Sequence, residues 1–172
     1  MRICSLCLSL MLALTVMPAA QAETADTDLI LLSLNVGKAD CHLLMYEDRI
    51  YMIDTGAPES YGAVSAALLQ LGISRVDGVI VTHTDKDHAG GVMALASSSL
   101  EVGAWYASPC YTVKKKNHPV VLAAQLRGEE AIFLKPGEAL PFGRGRLTVL
   151  GPLKEDESIE NNNSLVMLAE GA

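Results

Sequence analysis

Two imidazoles and two carboxylates fall within the six residues His83 to His88, directly behind the short apolar strand expected over 76–81. Few folds accommodate such a stretch. Packed inside without a partner, these groups would repel or desolvate one another. Spread over a surface, they would form an ordinary polar loop capping the next helix. Their density favours a divalent cation as the partner, since it takes neutral imidazole nitrogens and ionised carboxylates at about 2.0–2.2 Å. His83, Asp85, Asp87 and His88 stand at i, i+2, i+4 and i+5, a spacing that lets a strand-to-helix loop gather them from one side. Gly90 and Gly91 are expected to let the backbone turn tightly behind them. The N-terminus of the helix that follows offers a favourable field for an anion.

The pattern around this cluster predicts a layered α/β or α+β fold. Leu29 to Val36 reads as a first strand, ended by a turn at Gly37-Lys-Ala-Asp40. Cys41–Tyr46 and Arg49–Ile53 read as a hairpin with Glu47-Asp48 at its tip. Val64, Ala67, Leu68 and Leu71 give Ser60–Leu71 helical spacing, stopped by Gly72. Further helices are expected over Gly90–Ala96 and Pro119–Leu126, and further strands over 102–107, 132–134, 147–150 and 165–168. With 172 residues, 50% hydrophobic and 19% charged, the chain makes one domain with a real core. Aromatics are only 5%, so that core is aliphatic. A formal charge of -7 argues against a nucleic-acid clamp held by counterion release. Lys114-Lys-Lys116, near Tyr106 and Tyr111, is the one basic run, either a solvated loop or a small phosphate contact.

Residues 1–22 have the form of an export signal. Arg2 is followed by an apolar run from Ile3 to Met17 and by Ala20-Gln-Ala22 before Glu23. That run is shorter than the roughly 20 residues of a spanning helix, so no membrane anchor is expected after cleavage. The expected product is a secreted or periplasmic domain over 23–172. Cys41 and Cys110 would remain in it, free or joined as a disulfide in an oxidising compartment.

Four segments, in order, carry a family resemblance. Thr82-His83-Thr84-Asp85-Lys86-Asp87-His88 resembles the His-x-His-x-Asp-His motif of the metallo-β-lactamase superfamily, with Asp85 at the second His. That Asp-containing form is similar to the hydrolase domain of the ComEC competence DNA-uptake channel and its free-standing relatives. Leu34-Asn-Val-Gly-Lys-Ala-Asp40 resembles the Val-Gly-Gln-Gly-Asp turn of that branch, and Met52-Ile-Asp54-Thr-Gly56 its Ile-Asp-Thr-Gly. Glu160-Asn-Asn-Asn-Ser-Leu-Val166 resembles its Asn-Asn-x-Ser-Leu-Val segment. The resemblance covers about residues 29–170.

The resemblance implies an αββα sandwich with a hydrolytic centre of one or two metals at one sheet edge. His83 and Asp85 map to a first metal position, Asp87 and His88 to a second. Water activated there attacks an ester or phosphodiester, of a small molecule or a nucleic acid, and Asp87 takes a catalytic role by orienting that water. Asp54 would hold a ligand or loop in place, or serve only as a turn residue before Gly56. Zinc is the expected ion, with manganese or magnesium favoured by the hard oxygen of Asp85. His42 and His118 match no ligand position and are expected to be structural or surface residues. In the family a further His, a bridging Asp and a final His follow the Asn-Ser segment; the sequence stops at Ala172 before them, so an incomplete domain is implied. Two other readings stand beside the hydrolase: a degenerate domain without catalysis, and an aspartic protease using Asp54 in its Asp-Thr-Gly context.

Overall fold

Residues 28–172 are described in the computed structural model; the export signal expected over 1–22 lies outside them. Strands β1 (Ile30–Ser33), β2 (His42–Tyr46) and β3 (Arg49–Ile53) form an antiparallel meander. Glu47 takes the left-handed conformation in the expected turn, at φ 54°. Helix α1 (Tyr61–Gln70) follows and is closed by Gly72 at φ 68°. The strand expected over 76–81 is two, β4 (Arg75–Val76) and β5 (Gly78–Val81). Asp77 breaks it, because its carboxylate turns inward to accept Arg49 Nη1 at 2.8 Å and the Ile50 amide at 2.9 Å.

The residues after β5 form α2 (Lys86–Ala89) and α3 (Val92–Ala96). The strand expected over 102–107 also divides, into β6 (Glu101–Val102), which pairs with β4, and β7 (Trp105–Ala107). Helix α4 (Pro119–Leu126) matches its expected bounds and leads to β8 (Ala131–Phe133). A six-stranded sheet results, in the order β1-β2-β3-β5-β7-β8, parallel from β3 onward. A second sheet has the order β11-β10-β9, from β9 (Ala139–Phe142), β10 (Gly145–Gly151) and β11 (Val166–Glu170). Strand β9 is absent from the sequence expectation because Pro141 argues against a strand; it stands at a sheet edge, where proline is tolerated.

Period-two alternation sorts the core into two layers. Leu43, Met52, Val79 and Val81 face Val64, Leu68, Val92, Leu95, Val120 and Ala123 in the helix layer. Their neighbours Leu44, Tyr51 and Ile80 face Phe142, Leu147 and Val149 of the second sheet. Burying a side chain such as Leu43 or Phe142 contributes about 1.5–3 kcal/mol. Strand β5 is buried on both faces, which is why it reads as an unbroken apolar run. Among the described residues the layers are helix, sheet, sheet. The outer face of the second sheet carries Leu150, Val166 and Leu168 exposed, without the fourth layer of the expected sandwich.

Candidate metal centre

Parallel strands β3 and β5 end side by side, and the chain leaving each turns into the same crevice. Backbone hydrogen bonds sew three loops together there. The Thr55 amide donates to the His88 carbonyl at 2.7 Å, Gly91 to Gly56 at 3.0 Å, Gly56 to Asp40 at 2.8 Å and Asp40 to Asp87 at 3.1 Å. Gly90 and Gly91 contribute differently from expectation. Both have ordinary helical backbone, φ −65° and −83°, so neither supplies a left-handed turn. Their need is close approach: a Cβ on Gly91 would meet the Thr55 carbonyl, and one on Gly90 would meet the Lys86 carbonyl and the Pro58 ring.

Asp54 is the hub of the polar groups. It follows β3 in the left-handed region, φ 59°, which aspartate tolerates better than most residues. Its buried carboxylate accepts the Thr82 amide at 2.7 Å and the Thr82 hydroxyl at 2.8 Å. It also accepts Nδ1–H of His88 at 2.8 Å. That bond above all holds the His88 pKa above the ordinary imidazole value, against its burial, with the charges of Asp54, Asp87 and Asp40 adding to it. Nε2 of His88 is then directed at Asp40 Oδ2, 3.5 Å away, and Asp87 Oδ2, 3.8 Å away.

His83 follows β5 and is only 5% exposed. Its ring centroid lies 4.0 Å from that of His88. Nε2 of His83 is buried without any hydrogen-bond partner, with Asp85 Oδ2 at 3.6 Å. Asp87 and His88 stand on the α2 turn rather than in an open loop. The four residues singled out in the cluster therefore meet as two neighbouring pairs, His83 with Asp85 and His88 with Asp87.

The donor set suits a divalent cation. Separations of 3.5–3.8 Å between imidazole nitrogen and carboxylate oxygen exceed ordinary hydrogen bonds. They lie close to the roughly 3.4 Å edge between ligand atoms that share one ion at about 2.1 Å. Among the described residues no three such side chains already surround a single point at ligand distance, so the pairs would close slightly around an ion. An orphaned, buried imidazole nitrogen facing a carboxylate is the arrangement such an ion would satisfy.

Three residues of this centre escaped sequence reasoning as individuals. Asp40, Glu160 and Ser164 sit in quoted segments, but nothing local tells that Asp40 meets His88. Glu160 accepts the Thr84 amide at 3.0 Å, the Thr84 hydroxyl at 2.5 Å and the Thr112 amide at 2.7 Å. Burial works against its charge, yet these hydrogen bonds together pull its pKa down to about 2. Ser164 lies against the other nitrogen of His83.

The remaining candidates fall elsewhere. His42 Nδ1 lies 2.9 Å from the Ser33 hydroxyl, and its Nε2 3.7 Å from Asp40 Oδ1. His118 is buried between Tyr111 and Phe133, ring centroids at 4.8 and 5.5 Å, and burial pushes its pKa down to about 4. Lys114, Lys115 and Lys116 are exposed, with Lys115 Nζ over the Phe133 ring. Cys41 and Cys110 are free thiols rather than a disulfide; burial, aided by the charge of Asp54, pushes Cys41 up to about 12. The aspartic-protease reading fails on Asp54. Its carboxylate is buried and bound to Thr82 and His88, so it cannot face a second aspartate across a dimer.

Known proteins share this architecture. The chain is similar to ComE operon protein 3 of Bacillus subtilis (strain 168), 25% identical over 96% of this chain and 23% of that protein. It is similar to coenzyme F420H(2) oxidase of Methanothermobacter marburgensis, 28% identical over 64% of this chain and 27% of that one. The chain thus spans about a quarter of the length of these curated relatives. Among solved structures, metallo-beta-lactamase SMB-1 bound to 2-mercaptoethanesulfonate superposes with a TM-score of 0.53 at 17% identity, over 72% of this chain and 52% of that one. A B3 metallo-beta-lactamase with an active-site glutamic acid gives 0.52 at 18%, over 72% and 51%. These two likenesses establish the fold. The family model described as metallo-beta-lactamase superfamily matches residues 34–136, more than half of the sequence. By that match and its ComE-like relative, the chain belongs to the metallo-beta-lactamase superfamily.

Proposed function

We propose that this chain is a secreted or periplasmic metal-dependent hydrolase acting on phosphodiester or other ester bonds. The observation that carries the reading is the meeting of His83 and His88, ring centroids 4.0 Å apart, with Asp40, Asp85 and Asp87 within 3.8 Å of their Nε2 atoms. In this reading His83 and Asp85 hold one cation position, and Asp87 and His88 a second, with Asp40 closing the second. A divalent cation there supplies a Lewis acid and makes water a nucleophile near neutrality. Asp54 fixes the ring of His88 through Nδ1, the kind of supporting carboxylate that ligand imidazoles use. Asp87, half-exposed on α2, is the group proposed to orient the attacking water and take its proton.

An adjoining groove of about 480 Å³, which Asp87 lines, offers room for an ester substrate. Glu59 and Asp87 line it together with Lys38 and Lys86, so two carboxylates stand beside the two lysines. Lys38 and Lys86 are the groups there proposed to meet phosphate oxygens. Zinc is the proposed ion for two imidazoles; Asp85 moves the preference toward manganese or magnesium. Export is proposed from residues 1–22. Among the described residues no helix is long and apolar enough to cross a membrane.

Metal analysis of the protein, with hydrolysis assays on bis(4-nitrophenyl) phosphate, a lactone and a lactam, tests the reading. Stoichiometric metal, activity abolished by chelator and activity lost in His88→Ala are expected. Metal-free protein with unchanged activity would overturn it. Sub-stoichiometric metal without turnover would favour the alternative of a degenerate domain.

A further inference from the structure

Nδ1 of His83 lies 3.1 Å from two hydroxyl oxygens, that of Thr82 and that of Ser164. A hydroxyl has one proton to give. Thr82 gives its proton to the Asp54 carboxylate, 2.8 Å from Oδ2, which can only accept. Ser164 gives its proton to the Asn161 carbonyl at 2.8 Å, which also only accepts. Both oxygens therefore present lone pairs to His83. A bare Nδ1 there would set three lone-pair regions against one another in a buried site, an arrangement left unsatisfied at low dielectric. With both hydroxyl protons so committed, Nδ1–H is the form that satisfies all three atoms.

We infer that Thr82 and Ser164 are positioning residues that fix His83 in its Nδ1–H tautomer and so keep the Nε2 lone pair bare for a cation. The inference rests on the proposed metal-dependent reading. It accounts for the one feature of His83 that its neighbours leave unexplained, the buried Nε2 without a partner. It also gives the Asn-Asn-Asn-Ser segment a task. Asn163 is fully buried and donates Nδ2–H to the Asp156 carbonyl at 2.9 Å, and the Leu165 amide donates to the Thr82 carbonyl at 2.9 Å. Ser164 is thereby held at the ring from both sides. Asp54 serves both imidazoles: His88 directly, and His83 by committing the proton of Thr82.

The test is imidazole ¹⁵N NMR on the metal-free full chain, well above the ordinary imidazole pKa, together with Zn²⁺ titration calorimetry. In the unmodified protein His83 is expected to show Nδ1 protonated and Nε2 bare. Ser164→Ala should weaken Zn²⁺ binding about tenfold, and Thr82→Val with Ser164→Ala up to about a hundredfold, with the His83 tautomers mixed. Ser164→Thr and Thr82→Ser keep a hydroxyl and should restore both signals. Nε2–H in the unmodified protein, or unchanged Zn²⁺ affinity in the double variant, would overturn the inference. A fixed Nδ1–H tautomer in a protein that binds none of Zn²⁺, Mn²⁺ and Mg²⁺ would leave the tautomer assignment standing and sink the proposed function instead.

Discussion

Asp54 Oδ2 sits 2.8 Å from Nδ1 of His88, on a carboxylate carried by a left-handed residue 34 positions earlier in the chain. The bond makes His88 a stronger base and aims its other nitrogen. Asp54→Asn keeps the shape and removes the charge. His88 should then titrate at lower pH in the metal-free protein, seen by NMR, and Zn²⁺ affinity should fall about 10- to 100-fold. Because the His88 pKa is raised in the fold, protons compete with the cation there, so Zn²⁺ affinity should also weaken as pH falls. Unchanged affinity in Asp54→Asn would show that the carboxylate plays no part in cation binding.

Glu160 ties the loop between His83 and Asp85 to Thr112 through three accepted hydrogen bonds. Glu160→Gln weakens charge-assisted bonds and should destabilise the protein by about 1–2 kcal/mol in urea unfolding. Amide exchange at Thr84 and Thr112 should quicken. The Glu160 pKa is lowered from 4.5 to about 2, so its contribution is whole above the unfolded value and is lost as pH falls through that window. The variant should lack that acid loss.

Gly91→Ala would drive a Cβ into the carbonyl of Thr55, the residue whose amide ties its loop to His88. Overpacking of this kind costs about 1–3 kcal/mol. Here the strain falls on the backbone that carries His88, so the fall in thermal midpoint should come with weaker Zn²⁺ binding. Gly62→Ala, in helix α1 with nothing within 4 Å, is the control: it should leave Zn²⁺ binding unchanged and the thermal midpoint no lower.

His118 is buried neutral, its pKa lowered from 6.5 to about 4. The unfolded chain therefore takes up a proton that the fold resists. The stability held by neutral His118 is complete above 6.5 and lost as pH falls toward 4, by about 3 kcal/mol. His118→Phe preserves the packing against Tyr111 and Phe133 and should flatten this part of the curve. Denaturant midpoints measured across that range decide it; parallel curves for the two proteins would refute the assignment.

Much of the fold is legible in the sequence where periodicity is unambiguous. The β2–β3 hairpin, α1 and α4 follow from alternation, helical spacing and their flanking turns. Asp77 is less legible, since only its tertiary partner Arg49 explains why a strand breaks there. Pro141 conceals β9 because edge position is a property of the sheet, not of the local sequence. At the centre, the contiguous run from His83 to His88 announces itself by density. Asp40, Glu160 and Ser164 do not, because each acquires its meaning from a contact 48 to 81 residues away.

That separation bears on how the protein is made. Chains fold from the N-terminus as they are synthesised. The sheet whose β5 leads into His83 and His88 has all its strands by Phe133, whereas Glu160 and Ser164 leave the ribosome only afterwards. Until they dock, Thr84 lacks its carboxylate partner and His83 one of its two hydroxyls. A nascent domain would thus hold its imidazoles loosely until the Glu160–Ser164 segment docks, so in the metal-dependent reading cation binding would report that docking.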